Sequence, residues 1–114
     1  MHELSIAQSL LDIVVRQCRS GGYGRIDSVN IKVGRASGVM PEALVFAFDA
    51  IKQDSLAGEA TLQIEEIPVS GQCNDCSNVF AVEEEYILNC PVCGSNSFQI
   101  TSGRELDIID MEVS

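Results

Sequence analysis

From the amino terminus onward, apolar residues recur at steps of three and four. Leu4, Ala7, Leu11, Val14 and Cys18 fall on one side of a helix, and Gly21-Gly22 stops it. A second stripe of Ile6, Leu10 and Ile13 makes this segment apolar around more than half its circumference. Such a helix is either enclosed by the fold or partly offered to another protein, and enclosure is the expectation. Val29, Ile31 and Val33 then alternate with Ser28, Asn30 and Lys32, which predicts a half-buried strand over about 26–34 that Gly34 ends. Pro41 suits a first helical turn, Glu42 sits at the favourable end of the dipole, and Leu44, Ala47, Phe48 and Ile51 follow at helical spacing. That predicts a second helix over about 41–54.

Further on, the period returns to two. Leu62 and Ile64 share one parity while Ile67 and Val69 take the other, so a strand here either bulges or ends near Pro68. Leu106 and Ile108, then Ile109, Met111 and Val113, show the same change of parity and predict a strand over about 104–113. The order helix, strand, helix, strand, cysteine-bearing segment, strand predicts an α+β fold. Two helices should cover a three-stranded sheet, with a zinc-ribbon-like module of four cysteines inserted between two sheet strands. The expected division is an α+β domain of 1–68 plus 99–114 and a metal module of 69–98.

The module is defined by Cys73-Asn-Asp-Cys76 and Cys90-Pro-Val-Cys93, with 13 residues between the pairs. Two residues between thiols let both sulfurs of a pair reach one ion from a single tight turn, and two such turns complete a tetrahedron. Gly94 permits the positive φ that such a turn often requires. A closed four-thiolate zinc site has no vertex for water or substrate, so it is structural and not catalytic. Binding worth about 10–16 kcal/mol would hold together a module with few apolar groups. Iron fits the same four thiolates, which keeps a rubredoxin-like electron carrier open as an alternative. A thioredoxin-type dithiol would need its C-x-x-C at a helix start after a strand, and the turn formers here do not offer that.

Charge changes the picture of what such a module could touch. The 114 residues carry 17 acidic and 7 basic side chains, a formal net charge of -10. Residues 69–98 contain no Lys or Arg and include Glu83-Glu84-Glu85, so an acidic surface argues against nucleic acid as a partner. No apolar run approaches the roughly 18 residues of a membrane span, and Met-His-Glu is not the start of a secretory signal. A cytoplasmic location is expected, where paired cysteines bind metal rather than form disulfides and Cys18 is a buried, inert thiol. The hydrophobic fraction of 46% with 5% aromatics and no tryptophan points to an aliphatic core.

The single histidine is His2. A residue of that size normally keeps Met1 in place, so the α-amine, the His2 backbone nitrogen and the imidazole Nδ1 can close fused chelate rings around one ion. The Glu3 backbone nitrogen or carboxylate is close at hand. Nitrogen donors in a plane suit Ni(II) or Cu(II). A histidine beside a chain end is more often a solvated side chain, and on chemistry alone that remains the commoner case.

Taken together, the opening Met1-His2-Glu3-Leu4-Ser5-Ile6-Ala7, the two cysteine pairs and the closing Ser102-Gly103-Arg104-Glu105-Leu106 resemble the HypA/HybF family of hydrogenase nickel-incorporation proteins. The likeness runs over essentially the whole chain. It implies a metallochaperone and not an enzyme, delivering Ni(II) during [NiFe] hydrogenase maturation, with urease maturation an added role in some members. By position it implies nickel at His2 and Glu3, to which the chelate chemistry adds the Met1 amine, and structural zinc at Cys73, Cys76, Cys90 and Cys93. The implied partners are a HypB-type GTPase and the hydrogenase large-subunit precursor. Several relatives have a further histidine near the zinc motif and this chain has none, so any added nickel donor is backbone nitrogen, carboxylate, water or the partner. A zinc-ribbon adaptor that binds proteins without nickel cargo is the other alternative.

Overall fold

The first apolar stripe folds as α1, His2–Ser20, in a computed structural model that describes residues 2–114 and side chains from Glu3 onward. Ala7, Leu10, Val14 and Cys18 form its buried face. Leu10 comes from the second stripe, while Leu11 is only half-buried and Leu4 and Ile13 stay partly exposed. The helix ends where the glycines predict. Gly22 takes φ +80°, its N–H donates to the Arg19 carbonyl at 3.0 Å, and the Tyr23 N–H donates to the Cys18 carbonyl at 3.0 Å. These two bonds are a Schellman cap, which satisfies carbonyls the helix leaves over.

Strand β1 is Ile26–Gly34, with Val29, Ile31 and Val33 buried on alternating positions. Helix α2 is Pro41–Ile51, three residues shorter than expected, and buries Leu44, Ala47 and Phe48. It stops as the Lys52 N–H closes on the Phe48 carbonyl at 3.0 Å, after which Lys52 Nζ is held by the Ala60 carbonyl at 2.6 Å. The two helices pack on each other.

Pro68 separates two strands rather than bulging one. Strand β2 ends at Ile67 (Thr61–Ile67) and β3 starts at Val69 (Val69–Cys73), each belonging to a different sheet. Proline has no N–H to give a ladder, so the parity change at this point marks a change of sheet. Three more strands follow: β4 Val79–Val82, β5 Phe98–Ser102 and β6 Leu106–Val113. One sheet has the order β2-β1-β6 and the other β4-β3-β5. In the second, β3 pairs antiparallel with both neighbours, Gly71 facing Phe80 on one side and Ile100 on the other. The α+β class read from the sequence holds, and the cysteine segment brings a three-stranded sheet of its own.

The chain divides into two compact units. One comprises residues 1–31, 39–65 and 107–114, the other 32–38 and 66–106. Within the second, Gly34 comes so close to Gly103 that a Cβ on Gly34 would lie 2.1 Å from the Gly103 carbonyl carbon. Only glycine fits there. The approach is closed by Gly34 N–H to Glu105 O at 2.7 Å and Ala36 N–H to Gly103 O at 2.6 Å. None of the described helices is long and apolar enough to cross a membrane.

Candidate metal centre

Two short turns bring the four cysteines together. In the first, Cys73 ends β3 and its carbonyl accepts the Ser77 N–H at 3.1 Å, while its own N–H donates to Asn78 O at 3.0 Å. In the second, the Cys90 carbonyl accepts the Gly94 N–H at 2.8 Å and the Cys90 N–H donates to Ser95 O at 2.8 Å. The bonding is the same at corresponding positions of the two turns. So is the backbone after the second thiol, with φ +64° at Ser77 and +78° at Gly94. Serine there is a non-glycine residue in the left-handed region, which ordinarily costs about 1 kcal/mol. The sequence shows that signal only by aligning Cys76-Ser77 with Cys93-Gly94.

All four sulfurs lie within 4.8 Å of one another. Cys73 Sγ is 3.5 Å from Cys93 Sγ, and Cys76 Sγ is 3.7 Å from Cys90 Sγ. Bonds of about 2.3 Å to a central ion would give tetrahedron edges of about 3.8 Å. The cage therefore already has the size of a four-thiolate site, and the residues present fit one divalent ion. Among the described residues this is the one such cluster of metal-donor side chains. Cys73 and Cys90 are buried beside Phe80, with Cys76, Val82, Ile87 and Phe98 packed around them. Phe80 and Phe98 meet edge to face with centroids 6.5 Å apart.

Backbone amides take the place of cationic side chains in balancing the thiolates. The Asp75 and Cys76 N–H groups point at Cys73 Sγ at 3.4 and 3.5 Å, and the Val92 and Cys93 N–H groups point at Cys90 Sγ at 3.4 and 3.5 Å. Asn78 Nδ2 adds a bond to Cys76 Sγ at 3.4 Å, a contact that residue spacing does not reveal. Donors around sulfur stabilise its anion. The Cys76 N–H, foremost, brings Cys73 down to about 6, with burial opposing and the Asp75 N–H and neighbouring thiols assisting. Cys90 is lowered in the same way, first by the Cys93 N–H. Cys93 receives the Ser95 N–H, which favours its thiolate, but Cys73, burial and the remaining thiols outweigh this and push it up to about 12. Four sulfurs this close cannot all be anions unless a cation sits among them. The turns are tied to each other by Ser95 Oγ donating to Asp75 and by Asn74 Nδ2 to Ser97 Oγ at 2.9 Å.

The residues expected to hold nickel lie elsewhere in the sequence. Met1 and the His2 side chain are outside the described residues, and His2 enters as the first residue of α1. Glu3 is in the first turn, where its Oε2 accepts the Met40 backbone N–H at 3.1 Å. The long-range partner Met40 was not legible in the sequence.

Relatives match this chain from end to end. Residues 1–113 fit the family described as hydrogenase/urease nickel incorporation, metallochaperone, hypA. The hydrogenase maturation factor HypA of Rhizobium leguminosarum bv. viciae is 42% identical over 99% of both chains. That of Chlorobium luteolum is 45% identical over 92% of this chain and 89% of its own. Among solved structures, the solution structure of the Ni metallochaperone HypA from Helicobacter pylori superposes with a TM-score of 0.67 at 28% identity, covering 97% of this chain and 96% of that one. A second HypA solution structure gives 0.73 at 28% identity, covering 100% and 97%. With a family model matching residues 1–113 and relatives 42% and 45% identical over 99% and 92% of the chain, the chain belongs to the HypA family of nickel-incorporation metallochaperones.

Proposed function

We propose that this chain carries Ni(II) at its amino terminus during hydrogenase maturation while a resident zinc ion holds the cysteine unit in shape. The observation that carries this reading is the closed cage: four sulfurs mutually within 4.8 Å satisfy a tetrahedral ion and leave no vertex for cargo. Cargo then needs a separate, open set of donors. The start of α1 supplies one, because the first amides of a helix have no intrahelical acceptor, so their nitrogens can release a proton to solvent and bind a metal without breaking the helix ladder. Met1, His2 and Glu3 are the residues assigned to it, and the zinc is assigned to Cys73, Cys76, Cys90 and Cys93.

A carrier of this kind acts by binding and release, not by catalysis. A maturation factor works with the maturation machinery; its partners here are taken to be a HypB-type GTPase and the hydrogenase large-subunit precursor, in the cytoplasm. The family description, which names urease beside hydrogenase, supports testing a urease maturation role as well.

Nickel titration of zinc-loaded, untagged protein beside His2→Ala and an amino-terminally extended form tests the assignment. Tight binding by the native chain only is expected. Equal binding by all three would refute the terminal site, and loss in His2→Ala alone would keep the imidazole and remove the amine.

A further inference from the structure

Helix α2 begins without the means to cap itself. Its capping residue is Met40, whose side chain makes no cap bond, and the position three residues on is Ala43, which has nothing to reach back with. In a self-contained capping box a Glu or Gln at that place would accept the N–H of the capping residue. Here the acceptor comes from the other helix: Glu3 Oε2 lies 3.1 Å from the Met40 N–H, 37 residues away in sequence. The Met40 carbonyl meanwhile accepts the Leu44 N–H at 3.0 Å, so the residue that Glu3 grips is the one that starts the α2 ladder. Leu44 is fully buried, which anchors that first turn in the core.

We propose that the Glu3 carboxylate is a positioning group that clasps the first turn of α1 to the start of α2. It stays on Met40 while nickel is held through nitrogen, which deepens the terminal-site reading and rests on it. The clasp needs an acceptor oxygen and not a negative charge, whereas a carboxylate ligand to nickel needs both. A glutamine keeps the acceptor and removes the charge, so it separates the two roles. Holding Glu3 in the first turn of α1 also restricts its own backbone nitrogen, which lowers the ordering cost when that nitrogen closes a chelate ring.

The test uses full-length, zinc-loaded, untagged protein, with nickel alone as the probe, in native, Glu3→Gln and Glu3→Ala forms. Amide hydrogen exchange is read at Met40, and nickel affinity by competition with a chelator. Glu3→Ala should speed exchange at Met40 about tenfold, as expected for one lost hydrogen bond, and weaken nickel several-fold; Glu3→Gln should restore both to about twofold of native. Unchanged exchange at Met40 in Glu3→Ala would remove the clasp. Nickel affinity lost equally in Glu3→Gln and Glu3→Ala, with Met40 still protected in Glu3→Gln, would make the carboxylate a ligand and overturn the proposal. Nickel binding indifferent to His2→Ala sinks the terminal site and the nickel half of this proposal with it, and exchange at Met40 then decides the clasp by itself.

Discussion

Ser77 holds the backbone conformation that Gly94 holds in the sister turn, at φ +64° against +78°. A side chain in that region is strained, and Ser77→Gly removes the strain while adding some freedom to the unfolded chain. Thermal unfolding of the zinc-loaded protein should show Ser77→Gly neutral to about 1 kcal/mol more stable, and Gly94→Ala about 1 kcal/mol less stable. The thiols make a second residue-level prediction. With Cys73 held down to about 6 by the amides around it and Cys93 pushed up to about 12 by its neighbouring thiols, the first favours the anion at neutral pH and the second its proton. Zinc uptake must expel that proton, and affinity should rise about tenfold per pH unit for each proton released. Below about pH 6 Cys73 is protonated too, the dependence steepens, and the zinc-derived stability is lost as pH falls. Chelator competition at several pH values between about 5.5 and 8 reads the slope, and a flat profile would contradict it.

Among the elements, β3, β4 and β5 depend most on the ion. Their sheet closes on a buried cluster of Cys73, Phe80 and Cys90, so two of the three buried residues are themselves metal donors. By contrast, the buried residues of α1 and α2, Ala7, Leu10, Val14, Cys18, Leu44, Ala47 and Phe48, include none of the four clustered cysteines. Zinc removal by a strong chelator should therefore abolish amide protection in β3–β5 while protection in α1 and α2 persists, as followed by hydrogen exchange. Simultaneous loss in the helices would show that the two units do not unfold separately. Periodicity made the helices legible, since each buries one face along its whole length. It was less informative at Pro68 because a parity change has the same appearance whether a strand bulges or two strands belong to two sheets. The short strands β4 and β5 escaped for a related reason. Val79–Val82 is apolar at every position and Phe98–Ser102 alternates for only two cycles, so neither run is long enough to define a half-buried strand.

For the molecule as a whole, the identity of the resident ion follows from its colour and content. Protein purified without added metal should be nearly colourless and contain one zinc per chain by elemental analysis; a red, iron-containing preparation would favour the electron-carrier alternative. The net charge of -10, to which four thiolates around a divalent ion would add two more negative charges, gives the chain a potential that repels phosphate backbones and attracts basic surfaces. The amino-acid sequence alone settles whatever depends on spacing along the chain. That covers the helices α1 and α2, the strand β1, the helix stop at Gly21-Gly22, and the two C-x-x-C pairs, because a turn or a helical face is completed by near neighbours. Folding in three dimensions was needed for what depends on residues far apart: the passage of Gly34 against Gly103, the sheet that β3 forms with β5, and the Glu3 carboxylate on the Met40 N–H. Each of these joins groups distant in the chain through one close contact, and no local pattern encodes which remote backbone atom will stand there.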